Sequence, residues 1–340
     1  MRRAYIEKIE YYVPENYEAN APEDTITAKI GIAKRHIAKA NEYASDLGVK
    51  AANKLFNAND IERNQIDMLI YCTQSPDYIL PTTACLLHES LNLPKECAAF
   101  DINLGCSGYV YGLSIAKSFI ESGIVNNVLF ITSDTYSKYI NNRDRSVKVL
   151  FGDGASATLV SCMDSDQELI GPFVFGTDGT GKDNLIIKSG GLRDPITSKS
   201  NIEERDSFGN YRSGRNLFMN GPDVFNFSLR EVPSTIRSLL DKSGNTLEDY
   251  DHFVFHQANR FMLEKLRKVI KIPLEKFSYN LENIGNTVSS SIPISIYEDF
   301  SNGKIKVGDQ LMLVGFGVGY SWAACNIIMV DYIREDVEND

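Results

Sequence analysis

The chain of 340 residues carries six cysteines and four histidines, and one cysteine stands apart from the rest. Cys106 lies in Ala98-Ala99-Phe100-Asp101-Ile102-Asn103-Leu104-Gly105-Cys106-Ser107-Gly108-Tyr109, between an apolar strand-like run and a helix start, with Gly105 and Gly108 permitting a tight turn. A strand-to-helix elbow puts a thiol at the positive end of a helix macrodipole. That placement favours thiolate and predicts a pKa drawn from about 8.5 into the range of about 3.5–7.5. Cys72, Cys85, Cys97, Cys162 and Cys325 show no CxxC spacing and read as small buried hydrophobes, with no sign of a disulfide framework or a structural zinc site.

Partners for the thiol are few. His36 follows Lys34-Arg35 and reads as exposed, and His88 sits in an amphipathic helix as a surface or boundary residue. His252 and His256 are four apart, which on a helix would suit a metal ion. However, Asp251–His256 reads as strand, and about 13 Å would then separate them. His256 ends that strand just before Gln257-Ala258-Asn259, where the next helix begins, and α/β sheets place ligand-binding groups at strand C-termini. Gly285-Asn286 opens a further helix and offers an amide donor. A cysteine, a histidine and an asparagine can thus meet in the fold as a nucleophile with a base or donor pair.

The elements that must position them follow an α/β rhythm. Strand-like runs at 68–72, 98–102, 128–132, 157–160, 173–175, 252–255, 310–314 and 324–330 alternate with helical patterns at 44–56, 107–121, 224–240 and 257–270. Pro233 predicts a kink or break in the third helix. The helix after Cys106 is apolar nearly all round, so it belongs at the molecule's centre. Gly105-Cys106, Gly123 and the apolar strand at 128–132 are echoed by Gly285-Asn286, Gly303 and the strand at 311–314, with 18 residues from glycine to glycine in each case. This correspondence points to two similar halves, 1–170 with Cys106 and 171–340 with His256 and Asn286, meeting at one site.

Two glycine-rich stretches invite other readings. Gly176–Asp183 nearly matches a P-loop, but Asp183 stands where the magnesium-binding Ser or Thr would be and a strand-like run follows. The residues from Gly176 to Gly221 read as an irregular excursion. Gly315-Phe316-Gly317-Val318-Gly319 reads as a hairpin turn that can aim backbone N–H groups at an oxyanion. The net charge of −10 disfavours nucleic acid, and no apolar run is long enough to span a membrane. The N-terminus lacks a signal-peptide pattern, so the expected location is the cytoplasm.

In combination, these motifs resemble the β-ketoacyl-acyl-carrier-protein synthase III family of the thiolase superfamily, from about Ile26 to Trp322. The residues carrying the resemblance are Gly31-Ile32 with Arg35-His36-Ile37-Ala38, the Cys106 elbow, Phe151-Gly152-Asp153-Gly154-Ala155, His256-Gln257-Ala258-Asn259, Gly285-Asn286-Thr287 and Gly315–Gly319. The resemblance implies a five-layered αβαβα sandwich of two duplicated halves, normally a homodimer. It also implies Cys106 as the acyl-accepting nucleophile, His256 and Asn286 as donors in decarboxylation, and the N–H groups of Cys106 and Val318 as an oxyanion hole. No tightly bound cofactor or metal is implied. The substrate is a coenzyme A or phosphopantetheine thioester, with Lys29, Arg145 and Asn259 against that arm and Leu80 and Phe316 against the acyl group. Departures fall on the cofactor grip: Thr25 replaces a tryptophan, Lys29-Ile30 an Arg-Thr pair, and Pro222 an asparagine.

After His256 comes a run of cations, Arg260, Lys265, Arg267, Lys268 and Lys271, which suits an acidic acyl carrier protein or equally an ordinary solvated helix face. The family's docking arginine falls at Phe261. The reading is a condensing enzyme that loads an acyl group on Cys106 and extends it by decarboxylative Claisen condensation with malonyl-acyl carrier protein. The weakened grip suggests that the acyl donor is itself carrier-bound. The alternatives are an acyltransferase of the same fold that forms an ester or amide without decarboxylation, and a non-catalytic subunit of a heteromeric condensing enzyme.

Overall fold

The computed structural model describes residues 1–21, 25–58 and 61–330. Its strands are β1 (Arg2–Tyr12), β2 (Met68–Cys72), β3 (Ala98–Ile102), β4 (Asn127–Asp134), β5 (Gly154–Asp164), β6 (Ile170–Thr177), β7 (His252–Phe255), β8 (Gln310–Gly317) and β9 (Ser321–Ile328). The main helices are α1 (Ala44–Ala58), α2 (Thr83–Ser90), α3 (Gly108–Glu121), α4 (Gly221–Ser243), α5 (Arg260–Ile270) and α6 (Ser291–Ser301).

Two sheets repeat one topology. The first has the order β1-β5-β4-β2-β3 and the second β7-β8-β9-β6. In the first, β2 pairs in parallel with β3 and β4, while β5 is antiparallel to β4 and β1. In the second, β7 is parallel to β8, and β9 is antiparallel to β8 and β6. A single parallel bridge from Phe253 to Phe277 stands where the first sheet has β3.

Both sheets are covered on both faces, which is why their strands read as continuous apolar runs. In β2, Met68, Ile70 and Cys72 face α3 and α6, whereas Leu69 and Tyr71 face α1 and α2. In β7, Val254 turns to the same central layer, and Phe253 and Phe255 turn to α4 and α5. The layers are therefore α1/α2, first sheet, α3/α6, second sheet and α4/α5, the five expected. Helix α3 packs on strands of both sheets, so its all-round apolar surface has a partner on every side.

Several expectations need correction. Strand β1, with its charged and alternating sequence, gave no clear signal, yet it forms the long edge of the first sheet. Helix α4 runs through Pro233 without interruption. Burial of Val232, Ile236 and Leu239 beside it offsets the lost hydrogen bond and the ring clash of an internal proline, together about 3 kcal/mol. Helix α5 starts at Arg260, three residues later than expected. A 3-10 turn at Val288–Ser290 separates Asn286 from α6, so Asn286 does not open a helix. The excursion after Thr177 contains short ladders, 185–187 with 217–219 and 204–205 with 211–212, and 3-10 turns at Gly179–Gly181 and Lys199–Asn201. Cys85 is exposed and Cys162 half-buried, because each lies on the outer side of its element. Among the described residues no helix is long and apolar enough to cross a membrane.

Candidate active site

Cys106 follows β3 and precedes α3 by two residues, in a turn closed by Gly108 N–H donating to the Gly105 carbonyl at 2.8 Å. Ser107 and Ser321 hydroxyls, 2.6 Å apart, tie this elbow to the start of β9. Strand β8 passes so close that a Cβ on Gly317 would stand 2.9 Å from both Cβ and Sγ of Cys106. A Cβ on Gly315 would stand 2.8 Å from the Cys106 carbonyl oxygen. Glycine at both positions lets the strand end reach the sulfur, and the backbone N–H groups of Cys106 and Val318 both bear on it. These are the two groups expected to form an oxyanion hole.

The expected lowering of the Cys106 pKa is overturned. Complete burial and the nearby Asp134 carboxylate push the thiol up to about 12, against the opposing pull of the two N–H groups. Desolvation is the largest of these effects, because the sulfur is covered by β8. Asp134 is itself buried, and burial raises its pKa to about 7 despite hydrogen bonds from Ser289 Oγ at 2.5 Å and Gln74 N–H at 2.8 Å.

His256 follows β7 with its N–H donating to the Val314 carbonyl at 2.8 Å. Its Nδ1 lies 2.7 Å from Ser291 Oγ, and Phe316 meets its ring edge to face with centroids 5.7 Å apart. Burial lowers its pKa to about 3, so the ring is neutral at physiological pH. Asn286 is pinned by its N–H donating to the Leu150 carbonyl and by its carbonyl accepting from Gly152 N–H. Its Oδ1 accepts from Val288 N–H at 2.9 Å, which leaves Nδ2 as the amide's donor side, with the Ala258 carbonyl 3.5 Å away. His252 does not belong to this site. It is buried between Ser278 Oγ and Asp299 Oδ2, and among the described residues no cluster of metal ligands occurs.

Cys106, His256, Asn286 and Phe316 line one cavity of about 1040 Å³. Lys29, Arg145 and Asn259 line it as well, together with Pro222 and Phe261. Lys29 Nζ sits 4.3 Å over the Phe261 ring, which stacks on Phe225. Asn259 Oδ1 caps α5 by accepting from Met262 N–H, so only its Nδ2 is left for a ligand. The Thr25 side chain lies outside the described residues. Leu80 does not line the cavity within the chain. It is 80% exposed on a loop with exposed Tyr78 and Ile79, because nothing in one chain covers that loop. His36 is half-buried, its ring Nδ1 2.5 Å from the Pro14 carbonyl, rather than exposed. On α5, Arg260 and Lys265 are exposed, but Glu264 sits among the cations and pairs with Arg267 at 3.1 Å and Lys268 at 3.4 Å.

Residues 100–179 match the family model described as 3-oxoacyl-[acyl-carrier-protein] synthase III, and residues 240–329 match its C-terminal counterpart. A β-ketoacyl-[acyl-carrier-protein] synthase III from Caldanaerobacter subterraneus is 37% identical over 321 residues, covering 92% of this chain and 94% of the relative. The chain belongs to the 3-oxoacyl-[acyl-carrier-protein] synthase III family. It is a condensing enzyme that transfers acyl groups. A crystal structure of a 3-oxoacyl-(acyl-carrier-protein) synthase III is 49% identical with a TM-score of 0.94, over 96% of this chain and 100% of that one. A 3-oxoacyl-(acyl-carrier protein) synthase from Burkholderia xenovorans is 36% identical with a TM-score of 0.87, over 97% and 95% of the two chains.

Sequence reasoning missed Asp134, Ser289 and Ser291, all buried at this site. The one signal for them was a run of three serines, 289–291, immediately before an apolar helix, where buried hydroxyls must have partners.

Proposed function

We propose that Cys106 accepts the acyl group and that His256 and Asn286 donate hydrogen bonds to the thioester carbonyl of the extender. The observation carrying this reading is the convergence of a helix-end thiol, a neutral imidazole and an amide donor on one cavity, with two backbone N–H groups at the sulfur. The Cys106 sulfur attacks the acyl thioester, its proton leaves with the departing thiol, and the tetrahedral oxyanion is held by the N–H groups of Cys106 and Val318. Malonyl thioester then enters, and its carbonyl oxygen faces His256 and Asn286. Loss of carbon dioxide leaves the bonding pair in an enolate stabilised by those two donors. The enolate carbon attacks the acyl-Cys106 carbonyl, expels the thiolate and yields a 3-oxoacyl thioester.

The substrate arm is a pantetheine thioester, supplied to Cys106 by coenzyme A or by a carrier protein, with malonyl-acyl carrier protein as extender. Lys29, Arg145 and Asn259 at the cavity wall are the groups offered to that arm. The exposed Arg260 and Lys265 offer charge to an acidic carrier. Leu80, open in one chain, is assigned to an acyl pocket completed by a second copy.

Intact-mass spectrometry after incubation with acyl-coenzyme A and acyl-carrier donors tests the first step. One acyl addition is expected in the native protein and none in Cys106→Ala. Carbon dioxide release from labelled malonyl-acyl carrier protein tests the second, with a loss of about 10²–10³-fold expected in His256→Ala and Asn286→Ala while Cys106 still acylates. Native-rate release in both variants would overturn the assignment. Ester or amide formation without carbon dioxide would favour the non-decarboxylating alternative.

A further inference from the structure

The oxyanion hole assigned to Cys106 and Val318 takes one N–H from the turn before α3 and one from the turn after β8. Its geometry therefore depends on how those two stretches of backbone are held against each other. They meet at every residue of the elbow. Ser107 Oγ lies 2.6 Å from the Ser321 hydroxyl, which donates to the Val318 carbonyl at 3.0 Å. Cys106 is faced by Gly317. Gly105 is faced by the Val318 side chain, since a Cβ on Gly105 would stand 2.8 Å from Val318 Cγ1 and 2.6 Å from Gln74 Oε1.

Gly105 does not have the left-handed backbone that would by itself demand glycine, so the demand comes from space. Neither neighbour yields easily. Val318 is β-branched and stiff at χ1, and its carbonyl is held by Ser321. Gln74 Oε1 accepts from the buried Tyr136 hydroxyl at 2.6 Å, and Gln74 N–H donates to Asp134 Oδ1 at 2.8 Å.

We infer that Val318 is a positioning residue whose side chain, and not only its N–H, builds the oxyanion hole: its methyl group takes the space left by the missing side chain of Gly105 and, with Gln74 closing that space, sets the Val318 N–H against the Cys106 N–H. This rests on the reading of those two N–H groups as the oxyanion hole. Gly105 and Val318 act as slot and key, so that a side chain at one position requires its absence at the other.

The experiment compares Gly105→Ala, Val318→Gly, Val318→Thr and the double variant Gly105→Ala/Val318→Gly in two reactions of Cys106. One is acyl addition from acetyl- or octanoyl-coenzyme A, whichever loads the native protein faster, followed by intact mass. The other is alkylation by iodoacetamide. Attack on a thioester passes through an oxyanion and alkylation does not, so a hole out of register slows the first and spares the second. Gly105→Ala is expected to slow acyl addition about 100-fold and Val318→Gly about 10-fold, in the maximal rate with KM within about twofold. Val318→Thr keeps the branched shape and should stay within about threefold of native, as should alkylation in every variant. The double variant should be no slower than Gly105→Ala, far from the ~1000-fold product expected of independent sites. The inference is overturned by losses that multiply, by native acyl addition in Val318→Gly, by a loss in Val318→Thr as large as in Val318→Gly, or by alkylation that falls as far as acylation. Acyl addition persisting in Cys106→Ala would instead remove the reading on which it rests.

Discussion

The two halves of the molecule reach the same cavity by different local means. In the first, the nucleophile sits two residues before α3 and four after the end of β3, and its geometry is set by close backbone approach from β8. In the second, Asn286 stands five residues before α6, on an irregular segment held by Leu150, Gly152 and Val288 and followed by the buried hydroxyls of Ser289, Ser290 and Ser291. One topology therefore serves two chemistries. A thiol needs only access and N–H groups at its oxyanion, whereas an amide donor must be turned the right way, as the Val288 N–H on Oδ1 turns Asn286. Asp134 joins the two regions, since it ends β4 in the first sheet and is held by Ser289 from the second half.

The sharpest way to break this contrast is Gly317→Ala. The new Cβ would stand 2.9 Å from Cys106 Cβ and Sγ, and acylation is expected to fall about 100-fold, read by intact-mass kinetics. If acylation persisted, close approach of β8 would not be what sets the nucleophile. Gly285→Ala strikes the other side. Its φ is +88° and a Cβ would meet Gly152 N at 3.1 Å, so the segment carrying Asn286 must shift. Carbon dioxide release is expected to drop about 10-fold with acylation nearly unchanged, together with a loss of about 1 kcal/mol in denaturant stability. Equal loss in both steps would merge the two regions into one.

Asp134→Asn sharpens the link between them. Asp134 titrates at about 7, so its charge opposes thiolate formation only above that pH. Alkylation of Cys106 by iodoacetamide should quicken by about 3- to 10-fold over native at alkaline pH and match native at mildly acidic pH. The same raised pKa carries a stability sign. Relative to its ordinary 3.8, the group contributes stability that is fully present below about pH 4 and is lost as pH rises through about 7. Denaturation midpoints of the native protein should therefore decline across that window more than those of Asp134→Asn. The smallest expected effect is at Lys265→Glu on the exposed face of α5. KM for a carrier-bound substrate should rise about two- to fivefold, while acylation by acyl-coenzyme A stays as it was.

Much of the site was legible in sequence because chemistry demands rare residue types at element ends. Cys106 stood out by its glycine bracket, His256 by closing an apolar strand, and Asn286 by the glycine before it. The paired 18-residue spacing ends in each case on a glycine, Gly123 or Gly303, that adopts positive φ. Other features were illegible because they depend on who packs against whom. The Cys106 pKa went the opposite way from its helix-end expectation, since no local pattern states that β8 will cover the sulfur. The burial of Asp134 and the partners of Ser291 are likewise long-range facts. Strand β1 was hidden because an edge strand with one half-exposed face carries charges that mask its period. Leu80 shows the converse: its place in a single chain is an exposed loop.

By itself, then, the sequence determined which residues can react and the order of elements that carries them, because local turns, helix starts and apolar periodicity are written in consecutive residues. Tertiary structure decided the state in which those residues wait. Burial keeps Cys106 as a thiol and His256 neutral, and the packing of one half on the other brings the Val318 N–H to the Cys106 sulfur. Desolvation and hydrogen-bond partners are properties of the assembled core, contributed by residues far apart in the chain, as Val318 is from Cys106, and no stretch of neighbouring residues encodes them.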